Sequence, residues 1–388
     1  MPVINRIADF QDEIAGWRRD FHENPELGYS EHRTAARVAE LLRSFGADEV
    51  ATGIGRTGVV GIIRGRMPGD KVVGLRADMD ALPILERTGK QYASRNGGKM
   101  HACGHDGHTA MLLGAAKYLC ETRNFAGTVA VIFQPAEEGG GGGKAMIEDG
   151  LLDRYRIGEV YGLHNMPGTA AGSFAIRPGG IMAASDSFEI EIEGVGGHAA
   201  RPHMAHDAML AAAHIVVALQ SIVSRNVDPM EPGVVSVTTV HGGDAFNVIP
   251  RTVKITGTAR SMSEANRTMI EERIAQVATN VAAAFGTTAR SIYKRGYPVT
   301  VNAIEQTAFA AKVAEGVVGR ERVDDKSPGV MGGEDFSFML EKRPGAYIFL
   351  GNGDTSELHT DTYDFNDEII PVGVSYWVRL AESALPAG

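Results

Sequence analysis

"SDSFEIEIEG" (residues 185–194) alternates apolar and polar side chains from Phe188 to Glu193. Successive side chains of a strand point to opposite faces, so this pattern belongs to a strand with one face on a core and one in water. The stretches before it are written differently. "GTVAVIFQPAEE" (127–138) is a continuous apolar run that turns polar only at its end. "TGVVGIIRG" (57–65), "KVVGLRADMD" (71–80) and "EVYGLHN" (159–165) are short β-rich runs. Helical patterns precede them at 5–22 and 31–45 and fall among them at 107–122. Apolar strands alternating with helices predict an α/β layer with a mixed, largely parallel sheet. The change of style near residue 183 therefore reads as a change of domain.

Beyond that change the expected order is a strand at 185–194, a helix at about 206–224, and strands near 233–241 and 252–260. A long helix at about 263–285 and a strand near 288–294 follow. This β-α-β-β-α-β order is the ferredoxin-like pattern. From about 298 the earlier style returns, with "MGGEDFSF", "GAYIFLGNG" and a last helix from about 371. The chain is expected to divide into a first domain built from 1–183 and 298–388, and an inserted domain at 184–297. A length of 388 residues fits two cores better than one.

The formal net charge is −10, which argues against a broad basic surface for nucleic acid. Two cysteines can neither staple a chain of this size nor form a four-cysteine zinc site. "MPVINRIADFQDEIAGWRRDF" carries charges every few residues and so does not read as a targeting segment. No run reads as a transmembrane helix. The expectation is a soluble, cytoplasmic protein without a membrane partner.

In open α/β sheets, sites form outside the carboxyl ends of strands. "DMD", "PAEE" and "LHN" all fall there. "MHACGHDGHTAM" (100–111) gathers three of the 12 histidines and one of the two cysteines. In an extended segment Cys103 and His105 face one way, and a thiolate with an imidazole suits zinc, cobalt, nickel or manganese. The competing reading is a Gly-rich turn with a buried thiol and a capping histidine. Glu137 and Glu138 end a buried-looking strand and meet five glycines. Adjacent side chains there point to opposite faces, so one carboxylate can bind metal while the other faces a water. "GLHN" and "ELHTDTY" each end an apolar run with a histidine, His164 and His359. A lone histidine is more often structural. Cys103, His105, Glu138, His164 and His359 together make five candidate ligands. Five, with one bridging carboxylate, fit two metals better than one.

"FHENPELGYSE", "LRADMDALPI", "HACGHDGHTAML", "QPAEEGGGGGKAMIEDG", "GLHN", "GHAARPH", "NVIP", "GTAR" and "GGEDFSF" occur in this order. With them the chain resembles the M20 metallopeptidase family over nearly its whole length. It is similar in particular to the amidohydrolase branch of hippurate hydrolases, N-acyl-amino-acid amidohydrolases and auxin-conjugate hydrolases. The resemblance implies a two-metal catalytic domain with an inserted lid or dimerisation domain, and a homodimer or higher homo-oligomer formed through it. It implies the five ligands above and Glu137 as catalytic base. One departure stands out. Where the wider family has a histidine ligand two residues before the aspartate, "ADMD" has Asp78 before Asp80, and Cys103 takes that ligand's place. Asp78, Asp80, Asp106 and His108 then orient the ligands, unless they merely cap turns. In the inserted domain the resemblance implies that His198 holds the oxygen of the tetrahedral intermediate across a dimer, and that Asn247 and Arg260 meet the substrate's carboxylate. Without it Arg260 reads as a strand-end surface charge.

The implied activity is hydrolysis of the amide of an N-acyl amino acid by a water activated between two divalent metals (manganese, zinc, cobalt or nickel). A dipeptidase or aminopeptidase of the same fold is the nearest rival. A non-catalytic metal-binding protein is the third reading, and the presence of Glu137 with all five ligands speaks against it.

Overall fold

The structure is a computed structural model and describes residues 3–387. Eight strands form one sheet, in the order Glu49–Ile54, Gly58–Arg64, Ala126–Gln134, Met67–Asp78, Glu159–Pro167, Gly345–Gly353, Phe174–Ala175 and Val323–Asp324. Its centre is parallel: Met67–Asp78 lies between Ala126–Gln134 and Glu159–Pro167, and Gly345–Gly353 continues the same direction. Antiparallel pairings occur toward both edges. The apolar runs are continuous because both faces are covered. Val59, Val60, Ile63, Val129, Val131, Phe133, Leu75 and Ile348 are all fully buried. The helix His105–Thr122 is buried nearly all round its first three turns, and packs with Gln11–Glu23, His32–Phe45 and Ile370–Ala384 in the same core.

Four antiparallel strands form a second sheet, in the order Gly233–His241, Thr252–Ser261, Ala184–Glu193 and Thr288–Tyr297. With the helices Ala208–Arg225 and Glu264–Ala284 this is the β-α-β-β-α-β order of the ferredoxin-like motif. Along Ala184–Glu193 the apolar residues Phe188, Ile190 and Ile192 are buried, while Ser187, Glu191 and Glu193 are exposed.

The chain forms two compact units. One comprises the residues up to Gly179, Val301–Pro328 and the residues from Asp335; the other comprises Gly180–Thr300 and Gly329–Glu334. Periodicity misses the last segment, which joins largely by backbone pairing. The Ala183 N–H donates to the carbonyls of Val330 and Gly332, and the Val330 N–H to that of Ile181.

Two local expectations need correction. The stretch around Cys103 is not extended. Gly104 adopts φ +90° and starts the helix at His105, so a left-handed turn, not strand alternation, brings Cys103 and His105 together. A side chain could not stand there: a Cβ on Gly104 would lie 2.2 Å from Asn165 Nδ2. The second correction concerns membranes. By length and composition Ala208–Arg225 is long and apolar enough to span one. Its Ala211, Ala212, Ile215, Leu219 and Ile222 are buried against the four-stranded sheet and the helix Glu264–Ala284.

Candidate metal centre

The parallel strands of the large sheet deliver the site. Met67–Asp78 ends at Asp78, Ala126–Gln134 ends just before Glu137 and Glu138, and Glu159–Pro167 carries His164 within it rather than at its end. His359 arrives from a loop in a left-handed conformation, φ +63°, and its N–H donates to the Ala102 carbonyl at 2.7 Å. That bond sets His359 beside Cys103. A non-glycine residue at positive φ carries strain that a site can use only if something holds it.

All five expected ligands and Glu137 come together. Cys103, His105 and His164 form one group whose donor atoms lie within 4.8 Å of one another. Cys103, Glu138 and His359 form a second, and His105, Glu137 and Glu138 a third. Cys103 Sγ is 3.4 Å from His164 Nε2 and 3.3 Å from His359 Nε2, and His359 Nε2 is 3.2 Å from Glu138 Oε1. Two ligands on one tetrahedral ion sit roughly 3.3–3.7 Å apart, given bonds of about 2.0–2.3 Å. The two carboxylates do not diverge as a strand would make them. Ala136 at φ +51° breaks the strand, and both carboxylates turn into the cluster.

The hydrogen bonds choose the tautomers. His105 Nδ1 lies 2.9 Å from the Asp80 carbonyl, and His164 Nδ1 lies 2.6 Å from the Asn165 carbonyl. Each Nδ1–H donates there, which leaves each Nε2 lone pair for an ion. His105 Nε2 is buried without a hydrogen-bond partner, and Glu138 Oε1, also buried, lies against His359 Nε2. A buried imidazole nitrogen without a partner, facing a thiol and carboxylates, suits a cation. His108 is different. Its Nδ1 is 2.7 Å from Asp78 Oδ1 and its Nε2 accepts the Asn165 N–H at 2.9 Å, so both nitrogens are used. His108 thus has no free lone pair to offer an ion, although it stands near Asp78 and His105.

The electrostatics agree. Burial alone would raise the Asp78 carboxyl, yet His105, Arg76 and His108 hold it well below the usual carboxylate range. Burial and the Glu138 charge push the Cys103 thiol up, so a thiolate here calls for a cation. Burial and His108 drive His164 well below the ordinary imidazole value, which keeps it the neutral ligand that an ion needs.

Asp80 joins two ligand-bearing segments: its carbonyl holds His105 and its Oδ2 accepts the Glu138 N–H at 2.9 Å. Asp106 turns instead to His22 Nδ1 at 2.8 Å and Arg18 Nη1 at 3.5 Å. Asn165 was missed by the sequence reading, which stopped at the histidine before it. Its side chain donates to the Cys103 carbonyl and accepts from the Tyr363 hydroxyl, both at 2.7 Å.

In the other unit His198 pairs with Val248 in a two-stranded ribbon, and the Ala199 N–H donates to the Asn247 carbonyl. His198 Nδ1 accepts the Ala200 N–H at 3.1 Å, so the ring's proton sits on exposed Nε2. Arg260 is half-buried rather than a free surface charge; its Nη1 donates to the Ala259 carbonyl at 3.0 Å and to the Thr258 hydroxyl.

Comparison with known proteins follows the same lines. Hippurate hydrolase of Campylobacter jejuni is 44% identical over 381 residues, covering 98% of this chain and 99% of its own. N-acetyl-L-cysteine deacetylase of Bacillus subtilis is 40% identical, covering 97% of this chain and 89% of its own. A solved Bacillus subtilis structure, described as a dinuclear metal binding peptidase from the M20 family, superposes with a TM-score of 0.85 at 33% identity, covering 98% of this chain and all of its own. The model of Peptidase family M20/M25/M40 matches residues 74–383, and the chain belongs to that family.

Proposed function

We propose that this protein is a two-metal amidohydrolase that cleaves N-acyl amino acids to a carboxylic acid and a free amino acid. The observation that carries the reading is a pair of ligand groups sharing Cys103, with Glu137 alongside, in a chain 44% identical over its length to a hippurate hydrolase. Cys103, His105, Glu138, His164 and His359 would hold the ions. When bound, two divalent cations would acidify a shared water and polarise the amide carbonyl.

The chain's own groups supply the rest. Glu137 takes the proton from the attacking water and passes it to the leaving nitrogen. His198, protonated on Nε2, donates to the oxygen that becomes negative as water adds. Asn247 rides on the same ribbon as His198, and with Arg260 it would meet the substrate's carboxylate. The ribbon belongs to the unit through which we propose that two chains pair.

The test is a hydrolysis panel with manganese, zinc, cobalt and nickel in turn: N-benzoyl and N-acetyl amino acids beside dipeptides with free amines. N-acyl amino acids should be cleaved and the free-amine dipeptides poorly. Chelation should abolish the activity and one divalent metal restore it. Preference for the dipeptides would favour a peptidase. Two bound metals with no turnover on any amide would favour a binding protein.

A further inference from the structure

We propose that Glu31 is a positioning residue for this reaction: it holds the corner from which Glu137 projects. The proposal rests on Glu137 being the base. The strand Ala126–Gln134 does not run smoothly into the two carboxylates. It breaks at Ala136, whose φ of +51° crowds its Cβ against its own backbone, at a cost of about 1–2 kcal/mol. Such a residue keeps its conformation only where its surroundings impose it.

The surroundings come from the segment 28–31. Glu31 is fully buried; its Oε1 accepts the Ala136 N–H at 2.8 Å and its Oε2 accepts the Thr57 hydroxyl at 2.6 Å. The Ala136 carbonyl is taken by the Gly142 N–H at 3.1 Å, so both ends of the residue are fixed. Gly28 backs the same corner: a Cβ there would lie 3.1 Å from both Cα and Cβ of Ala136. Tyr29 donates its hydroxyl to the Gly140 carbonyl at 2.9 Å. Three side-chain or backbone supports from four consecutive residues meet one strained turn, and the next residue is Glu137. A buried carboxylate is expensive, and burial pushes this one's pKa up. Its two donors explain how it is tolerated; the corner explains what it does there.

Replacing Glu31 with alanine leaves the Ala136 N–H buried without an acceptor, and the corner should relax. A misplacement of about 1 Å costs on the order of 100-fold in rate, so Glu31→Ala should lower kcat by roughly 10- to 100-fold with KM little changed. Both metals should stay bound, and hydrogen exchange at the Ala136 amide should quicken. Glu31→Gln keeps an acceptor for that amide and should recover most of kcat. Gly28→Ala, which presses on Ala136 from the other side, should lower kcat several-fold and leaves the hydrogen bond in place. If Glu31→Ala does not fold, Gly28→Ala decides: a lowered kcat with metals bound supports the brace, and a wild-type kcat overturns it. Wild-type kcat in Glu31→Ala, lost metal, or a glutamine variant as impaired as the alanine one also overturns it. Glu137→Gln is assayed alongside. If it stays active, the base assignment has failed, while exchange at Ala136 still reports on the brace. If it is dead and Glu31→Ala is not, the brace alone has failed.

Discussion

The two sheets of this molecule solve the same burial problem in opposite ways. The eight-stranded sheet is covered on both faces at its centre, so side chains of its central strands reach water only toward the strand ends, while the edge strand Glu49–Ile54 is largely open. Polar groups collect at those ends: Asp78 after Leu75 and Ala77, and Glu137 and Glu138 after Phe133; His164 faces them from within the strand Glu159–Pro167. The four-stranded sheet has one face against its helices and one in water, so polar side chains can stand along its whole length. Its functional candidates accordingly sit on a ribbon beside the sheet and at a strand terminus rather than at a converging row of ends. A doubly covered sheet concentrates chemistry; a half-covered one can only present it.

That contrast predicts where damage is greatest. Glu137→Gln, in the concentrated site, should keep both metals and lose activity by about 100-fold or more, the usual scale for a general base. Glu138→Ala should instead lose metal, measured by elemental analysis of the purified protein. If Glu137→Gln released metal while Glu138→Ala kept both ions and its activity, the two roles would be reversed.

Concentrated charge should also give the first unit a pH-dependent stability. Burial would lower the pKa of His22, but its hydrogen bond to Asp106 and that residue's charge, with help from Glu86, push it up to about 9. The folded value lies above the ordinary 6.5, so the charged pair stabilises fully below that pH and loses its contribution as pH rises through 9. A loss of about 2–3 kcal/mol is expected between pH 6.5 and 9.5. Urea unfolding should show it in the metal-loaded protein and not in His22→Gln. An equal pH step in both would remove His22 as its source. The buried pair of the other unit, Arg267 with Asp186 at 2.7 Å, contains no histidine.

Sequence pattern made both sheets legible, because period and continuity of apolar residues report directly on how many faces are covered. The residues that cluster here were legible too, since cysteine and histidine beside paired carboxylates are rare and chemically specific. What holds them was not. Asn165, Glu31 and Arg76 are ordinary polar residues whose importance lies in a partner dozens of positions away: Cys103 for Asn165, Ala136 for Glu31, Gln134 and Asp335 for Arg76. Backbone angles were hidden as well. Nothing in "QPAEE" announces a left-handed alanine, and that angle turns two neighbouring carboxylates toward one cluster.

The smallest expected effect is a factor of two, and it tests whether what the half-covered sheet presents serves its own chain or another. The hypothesis is that His198 completes the site of a partner chain. It is motivated by its exposed Nε2–H on a ribbon of the second unit, and by the prevalence of two-fold symmetric dimers. His198→Ala and Glu137→Gln homodimers should each be nearly inactive. Co-expressed with different tags and purified as a mixed dimer, one site keeps Glu137 and receives an intact His198, while the other lacks both. The mixed dimer should show about half of wild-type activity, because one of two equivalent sites is whole. If His198 acts within its own chain, neither site is complete. A mixed dimer that is dead, with metals bound and the fold intact, would confine His198 to its own chain, and each unit would then serve only the sheet it is covalently joined to.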